Sequence, residues 1–249
     1  MKTCIVKNIK IGEGKPKICL PVVGKINEEI LQQISSFSSY IYDFIELRID
    51  FYENIYDPSK VISLLKEIKK ITNKPILFTY RSLKEGGQVQ LSDDEYMKLI
   101  ETVCCSDVDM IDIEVMSGNQ LVYQLVDMIH KNNKKVILSY HDFTSTPNDL
   151  EIKSVLEKME ILNGDILKIA VMPQTYKDVI RLLNVTMEMS EKLNKPLITM
   201  SMGHLGKISR LIGELTGSCV TFASAGKSSA PGQVDVEDIN IILEAIHND

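Results

Sequence analysis

The sequence predicts an α/β architecture, a (β/α)8 barrel, on three observations. Short apolar runs alternate with amphipathic stretches along nearly the whole chain, the pattern of βα units around a parallel sheet. Eight such units can be counted, and no composition break, low-complexity segment or Pro/Gly linker divides the 249 residues. Barrels of this kind commonly use about 250 residues, so residues 1–249 are expected to form one barrel domain. An open doubly wound sheet is the structural alternative. Its dinucleotide fingerprint is missing, since Val22-Val23-Gly24-Lys25 lacks the G-x-G-x-x-G spacing.

In chain order, residues 4–11 alternate apolar and polar side chains and predict a short N-terminal hairpin at one end of the fold. Strands are predicted at 18–23, 44–50, 75–81, 110–115, 135–141, 166–171, 196–201 and 219–223. Helices are predicted at 58–71, 93–103, 119–131, 149–159, 175–193 and 235–247, where apolar residues recur at the i, i+3, i+4 spacing of one face.

Alternation along a strand then sorts the side chains by face. Glu46, Arg48 and Asp50 oppose Ile45, Leu47 and Ile49; Thr79 falls with Arg81; Asp112 and Glu114 oppose Ile111, Ile113 and Val115; Ser139 falls with His141; and Lys168 opposes Leu167 and Ile169. Helix-covered outer faces must be apolar, so five consecutive strands aim their polar sets at one interior. Barrel interiors normally fill with branched aliphatics, and charges there point to a site at the C-terminal mouth. The pairs Glu46 with Arg48, and Asp112 with Glu114, also fit internal networks that stiffen the barrel.

Composition excludes several partners. The net charge of −6 gives no basic face for nucleic acid. No apolar run reaches membrane-span length, and Lys2, Lys7 and Lys10 interrupt the place of a signal peptide. Five cysteines without C-x-x-C spacing suggest neither a disulfide frame nor a zinc site, and a cytoplasmic location fits them. Only four of the 28 basic residues are arginine, namely Arg48, Arg81, Arg181 and Arg210. Arginine forks suit carboxylates and hydroxyls, which points to a small anionic or polyhydroxylated ligand.

Lys168 stands inside the run Ile166-Leu167-Lys168-Ile169-Ala170-Val171. An ammonium taken out of water loses several kcal/mol of hydration, so a lysine among aliphatics tends toward the neutral, nucleophilic amine. The bland alternative is a lysine whose head reaches solvent. One strand earlier, His141 ends Val136-Ile137-Leu138-Ser139-Tyr140 and supplies a proton carrier, with Asp142 and Glu85 as two candidates to orient its ring. His130 and His247 lie near helix C-termini, where histidine serves the helix dipole. His204 follows the seventh strand and is placed to line the mouth, without metal-ligand spacing. Gly226-Lys227-Ser228 fails as a phosphate loop because Thr221 holds the earlier glycine position. The segment Ser228-Ser229-Ala230-Pro231-Gly232-Gln233 combines hydroxyls, an amide and a Pro-Gly turn suited to closing over a ligand.

Six motifs in order complete the picture: Glu46-Leu47-Arg48-Ile49-Asp50, Thr79-Tyr80-Arg81-Ser82 with Glu85-Gly86-Gly87, Ser139-Tyr140-His141-Asp142-Phe143, Lys168-Ile169-Ala170, Ile208-Ser209-Arg210 and Ser229-Ala230-Pro231-Gly232-Gln233. Together they resemble the type I 3-dehydroquinate dehydratases of the shikimate pathway over nearly the full chain. The resemblance implies a Schiff base between Lys168 and 3-dehydroquinate, with His141 as base and acid and Glu85 orienting and tuning it. It assigns the carboxylate to Arg210, Ser229 and Gln233, and the ring hydroxyls and ketone region to Glu46, Arg48 and Arg81. It implies no metal or organic cofactor, and often a homodimer. A class I aldolase or transaldolase, which wants a phosphate cradle, is the nearest rival. A non-catalytic barrel binding a hydroxy acid is the second.

Overall fold

A computed structural model describes residues 2–226 and 230–247. Eight parallel strands form the ring: β3 (Lys17–Val22), β4 (Phe44–Arg48), β5 (Ile76–Thr79), β6 (Met110–Glu114), β7 (Lys135–Asp142), β8 (Ile166–Val171), β9 (Leu197–Ser201) and β10 (Val220–Phe222), in the order β10-β3-β4-β5-β6-β7-β8-β9. The seam between β9 and β10 closes through a parallel bridge from Leu197 to Ser218. There Thr199 N–H donates to Ser218 Oγ at 3.0 Å and Cys219 N–H donates to the Leu197 carbonyl at 2.8 Å. A side-chain hydroxyl thus substitutes for part of a ladder where β10 is short. All eight predicted strands are present in a TIM barrel.

Helices follow the strands: α1 (Asn27–Ser36), α2 (Pro58–Ile71), α3 (Asp93–Cys104), α4 (Asn119–Lys131), α5 (Asp149–Ile161), α6 (Tyr176–Lys192), the single turn α7 (Gly213–Thr216) and α8 (Val236–His247). Local chemistry sets their starts. The Asp57 carboxylate caps α2 by accepting from Ser59 and Lys60 N–H with Pro58 in the first turn, and Ser92 and Asn148 open α3 and α5 with reciprocal capping boxes. Each cap is worth about 1 kcal/mol. Helix α1 escapes the periodicity reading because only Ile30 and Ile34 of its ten residues are buried and no side chain caps it. Among the described residues no helix is long and apolar enough to cross a membrane.

Strand parity divides the apolar residues into two cores. Leu47, Phe78, Ile113, Leu138 and Ile169 face outward and pack with the helices, for example with Leu64, Ile68, Val122 and Leu125. Cys19, Phe44, Leu77, Met110, Ile137, Ile166 and Ile198 face inward near the N-terminal ends of the strands. The predicted hairpin, β1 (Cys4–Val6) with β2 (Ile9–Ile11), adds Cys4, Val6 and Ile11 to this inner cluster. It therefore floors the barrel. Full burial of each such aliphatic side chain is worth roughly 1.5–3 kcal/mol, and with that end sealed the polar interior opens at the C-terminal mouth.

Candidate active site

Beyond the inner apolar layer, the inward positions turn polar. A cavity of about 230 Å³ is lined by Glu46, Arg48, Arg81, Glu85, His141 and Lys168 on one side, and by Met200, Met202, Arg210, Phe222, Pro231 and Gln233 on the other. Eight of the nine residues expected in the site thus meet in one place. The ninth, Ser229, lies outside the described residues.

Lys168 is 4% exposed. Its immediate surroundings differ from the apolar sleeve suggested by its neighbours in sequence, because Leu167 and Ile169 face the helices. Nζ instead lies 3.7 Å from Glu46 Oε1, 3.6 Å from Asp112 Oδ2 and 4.5 Å from the centre of the Phe222 ring. Asp112 is fully buried; Oδ1 accepts from Arg81 and Ser139 at 2.7 Å each, while Oδ2 has no hydrogen-bond partner. Burial opposes its charge, but Arg81 and Lys168 outweigh that and hold its carboxyl below the ordinary range.

Arg81 braces this wall. NH1 donates to Glu114 Oε1 at 3.0 Å and Ser139 Oγ at 2.9 Å, and NH2 donates to Asp112 at 2.7 Å. Both terminal nitrogens therefore bond within the protein, and the side chain, expected to meet the ring hydroxyls and ketone region, also lines the cavity. The expected pairing of Glu46 with Arg48 is corrected. Arg48 forms a two-bond fork with Asp50, each bond 2.8 Å, while Glu46 accepts from Thr79 Oγ1 at 3.0 Å. The strand predicted to reach residue 50 ends at Arg48, and the 3-10 turn Ile49–Phe51 brings Asp50 back alongside.

Of the two candidates to orient His141, geometry selects Glu85. Its Oε2 lies 2.8 Å from His141 Nδ1 and also accepts the His141 backbone N–H at 3.1 Å. Asp142 instead organises the following turn, accepting from Thr144 and Ser145. Glu85 sits in the 3-10 turn Leu83–Glu85, which Gly86 ends at φ +86. Gly87 presses so closely on the Arg81 carbonyl that a Cβ would lie 1.8 Å from its oxygen, so the turn is pinned to the residue that braces the site. Burial and neighbouring Glu114 push the Glu85 carboxyl up to about 8. Burial, then Arg81, Lys168 and Arg48, hold the His141 imidazole well below its ordinary value, so it is neutral near pH 7.

Arg210 is built differently. It is 3% exposed, and among the described residues its donors reach the Phe222 carbonyl at 3.4 Å, the Pro231 carbonyl at 3.3 Å and Met200 Sδ at 3.5 Å. Its Nε has no hydrogen-bond partner among the described residues. Burial alone pulls its guanidinium down to about 10. A buried cation without a counter-charge among the described residues is costly, and a guanidinium so placed is suited to an anionic ligand.

The remaining histidines lie apart. His130 bonds Asp165 at 2.8 Å, His247 bonds Glu214 at 2.7 Å, and His204 is exposed and does not line the cavity. No cluster suited to a metal ion occurs among the described residues.

Residues 18–249 match the family model for type I 3-dehydroquinase. The chain belongs to that family. It is 45% identical over 249 residues, 99% of both chains, to a 3-dehydroquinate dehydratase of Listeria monocytogenes serotype 4b. A Clostridium botulinum 3-dehydroquinate dehydratase is 46% identical over 245 residues, 97% of this chain and 96% of that one. A solved type I 3-dehydroquinate dehydratase from Clostridium difficile, with covalent modified comenic acid, superposes with a TM-score of 0.95 at 42% identity, covering 99% of this chain and 98% of that one.

Proposed function

We propose that this chain converts 3-dehydroquinate to 3-dehydroshikimate and water through an imine on Lys168. As a type I 3-dehydroquinase it is a carbon–oxygen lyase of the shikimate pathway. The observation that carries the detailed reading is one cavity lined by a buried amine, an imidazole tied to the Glu85 carboxyl, and an arginine facing no carboxylate among the described residues.

The Lys168 amine attacks the C3 ketone, and the resulting carbinolamine loses water to give a protonated imine. Glu46 and Asp112, both within 4 Å of Nζ, face that cationic nitrogen with negative charge. The imine acidifies C2, and His141 takes the proton there through the ring nitrogen that Glu85 does not hold. Electrons of the enamine expel the C1 hydroxyl, to which His141 returns a proton, and water hydrolyses the imine to free the product. Arg210 with Gln233, joined by Ser229 of the same loop, takes the substrate carboxylate. Glu46 and Arg48 meet the ring hydroxyls, with Arg81 holding the wall in place. No metal or organic cofactor enters this route.

Conversion is followed by the conjugated enone that dehydration creates. Purified protein should generate it from 3-dehydroquinate, and Lys168→Ala should not. Retro-aldol cleavage of sugar phosphates with no enone would favour the aldolase reading. Full function in Lys168→Ala would favour a binding protein. The reading extends to a homodimer, supported by the family resemblance and checked by solution mass, where a monomer would contradict it. It also places the enzyme in the cytoplasm, which five free thiols suit and fractionation would check.

A further inference from the structure

Glu85 belongs to the walls of two cavities. One is the site above; the other, of about 160 Å³, is lined by Tyr80, Ser82, Glu85, Tyr96, Glu114 and Ser117 among others and shares only Glu85 with the first. Its rim residues Lys84, Gln90 and Asp93 are exposed, so it communicates with solvent. Of its lining residues, Ser82 Oγ and the Tyr96 hydroxyl are buried and have no hydrogen-bond partner among the described residues. Tyr80 differs, since its hydroxyl accepts from Leu91 N–H at 2.8 Å and donates to the Val89 carbonyl at 3.2 Å. Buried hydroxyls in native proteins find partners almost without exception. The adjoining space, several times the ~30 Å³ share of one water, has room for such partners.

The chemistry gives such waters a task. Imine formation, C2 proton removal, hydroxyl departure and imine hydrolysis each move a proton, and one imidazole serves as base in some steps and acid in others. The His141–Glu85 pair therefore gains and loses protons within a turnover. Substrate filling the front cavity closes that route.

We propose that the second cavity holds a short water chain, hung on Ser82 Oγ and the Tyr96 hydroxyl, that carries protons between the Glu85–His141 pair and bulk solvent while substrate occupies the site. The proposal rests on the reading of His141 as proton carrier. A proton arriving from C2 on one ring nitrogen is balanced by one leaving Nδ1 for Glu85 Oε2, while the protonated Glu85 carboxyl releases its own proton from the other oxygen to the first water. Proton return reverses each transfer. Ser82 and Tyr96 are positioning residues, since they hold the waters and touch no reacting atom.

The test sets hydrogen exchange at C2 against turnover. In deuterated buffer the reaction is stopped part-way, and deuterium at C2 of the remaining 3-dehydroquinate is measured by mass spectrometry, corrected for exchange without enzyme. Exchange per turnover should fall about threefold or more in Tyr96→Phe and further in the Ser82→Ala/Tyr96→Phe double variant, with KM within about twofold of the parent. The single variant loses one oxygen and answers the question if the double variant does not fold. An unchanged ratio in Tyr96→Phe, or no exchange in the parent, overturns the proposal. His141→Ala separates the two readings: turnover at the parental rate there sinks the proton-carrier assignment itself, whereas slow turnover with an unchanged Tyr96→Phe ratio sinks the water chain alone.

Discussion

The two sides of the barrel mouth are built on opposite electrostatic terms. Along β4 to β7 the cations are answered by carboxylates: Arg48 grips Asp50, and Arg81 is divided between Asp112 and Glu114 with Glu85 3.6 Å away. On the β9–β10 side, Arg210 meets two carbonyls and a thioether. Both arginines are 3% exposed, so burial does not distinguish them. Pairing does. Arg81 holds side chains of two strands, β6 and β7, whereas Arg210 faces no carboxylate among the described residues and is proposed to take an anion from outside. Under the proposed function, a substrate carboxylate would be steered to the arc holding Arg210, setting the ring across the cavity toward Lys168 and His141.

Removing each arginine in turn separates the two sides of the mouth. Arg81→Met leaves Asp112 and Glu114 buried without their cation and should lower unfolding free energy by about 3–5 kcal/mol, read by denaturant titration. Arg210→Met should act in the opposite direction on stability, raising it by roughly 1 kcal/mol because an unpaired buried charge is gone. The same variant should lower kcat/KM about a hundredfold, mainly through KM, since its contact is made in ground and transition states alike. Equal destabilisation by the two variants would contradict the contrast.

A smaller effect sharpens the account of the acidic side. Glu85 is raised, so the stability it contributes is full below about pH 4.5 and is lost as pH climbs toward about 8. His141 is depressed, so its contribution is present above about pH 6.5 and is lost as pH falls. The two oppose each other in acid. Between about pH 6.5 and 8 the Glu85 slope stands alone in the pair, a decline on the order of 1 kcal/mol. Glu85→Gln should flatten it, and pH-dependent melting of both proteins would show a persisting slope if the assignment were wrong.

What the sequence disclosed follows a physical division. The eight strands were legible because strands buried on both faces read as apolar runs, and the inward set was legible because Glu46, Asp112, Ser139 and Lys168 interrupt those runs at the alternating positions. Partner choice was not legible. Whether Arg48 takes Glu46 or Asp50 depends on a 3-10 turn after β4, and whether His141 takes Asp142 or Glu85 depends on a turn after β5. Alternation along one strand carries no information about either. Asp50, the brace of Arg48, was visible as an inward residue but had no assigned role. Tyr96 of α3 was masked by the helix pattern, where an aromatic reads as ordinary core. Even the charged neighbours of Lys168 came from strands β4 and β6, so its flanking aliphatics described the outer wall and not the amine.

Under the proposed function, the Lys168 amine bonds covalently to the substrate ketone. Protein incubated with 3-dehydroquinate and reduced with borohydride should gain the mass of one reduced adduct, and peptide mapping should place it on Lys168. An adduct on any other lysine, or none during active turnover, would contradict the account.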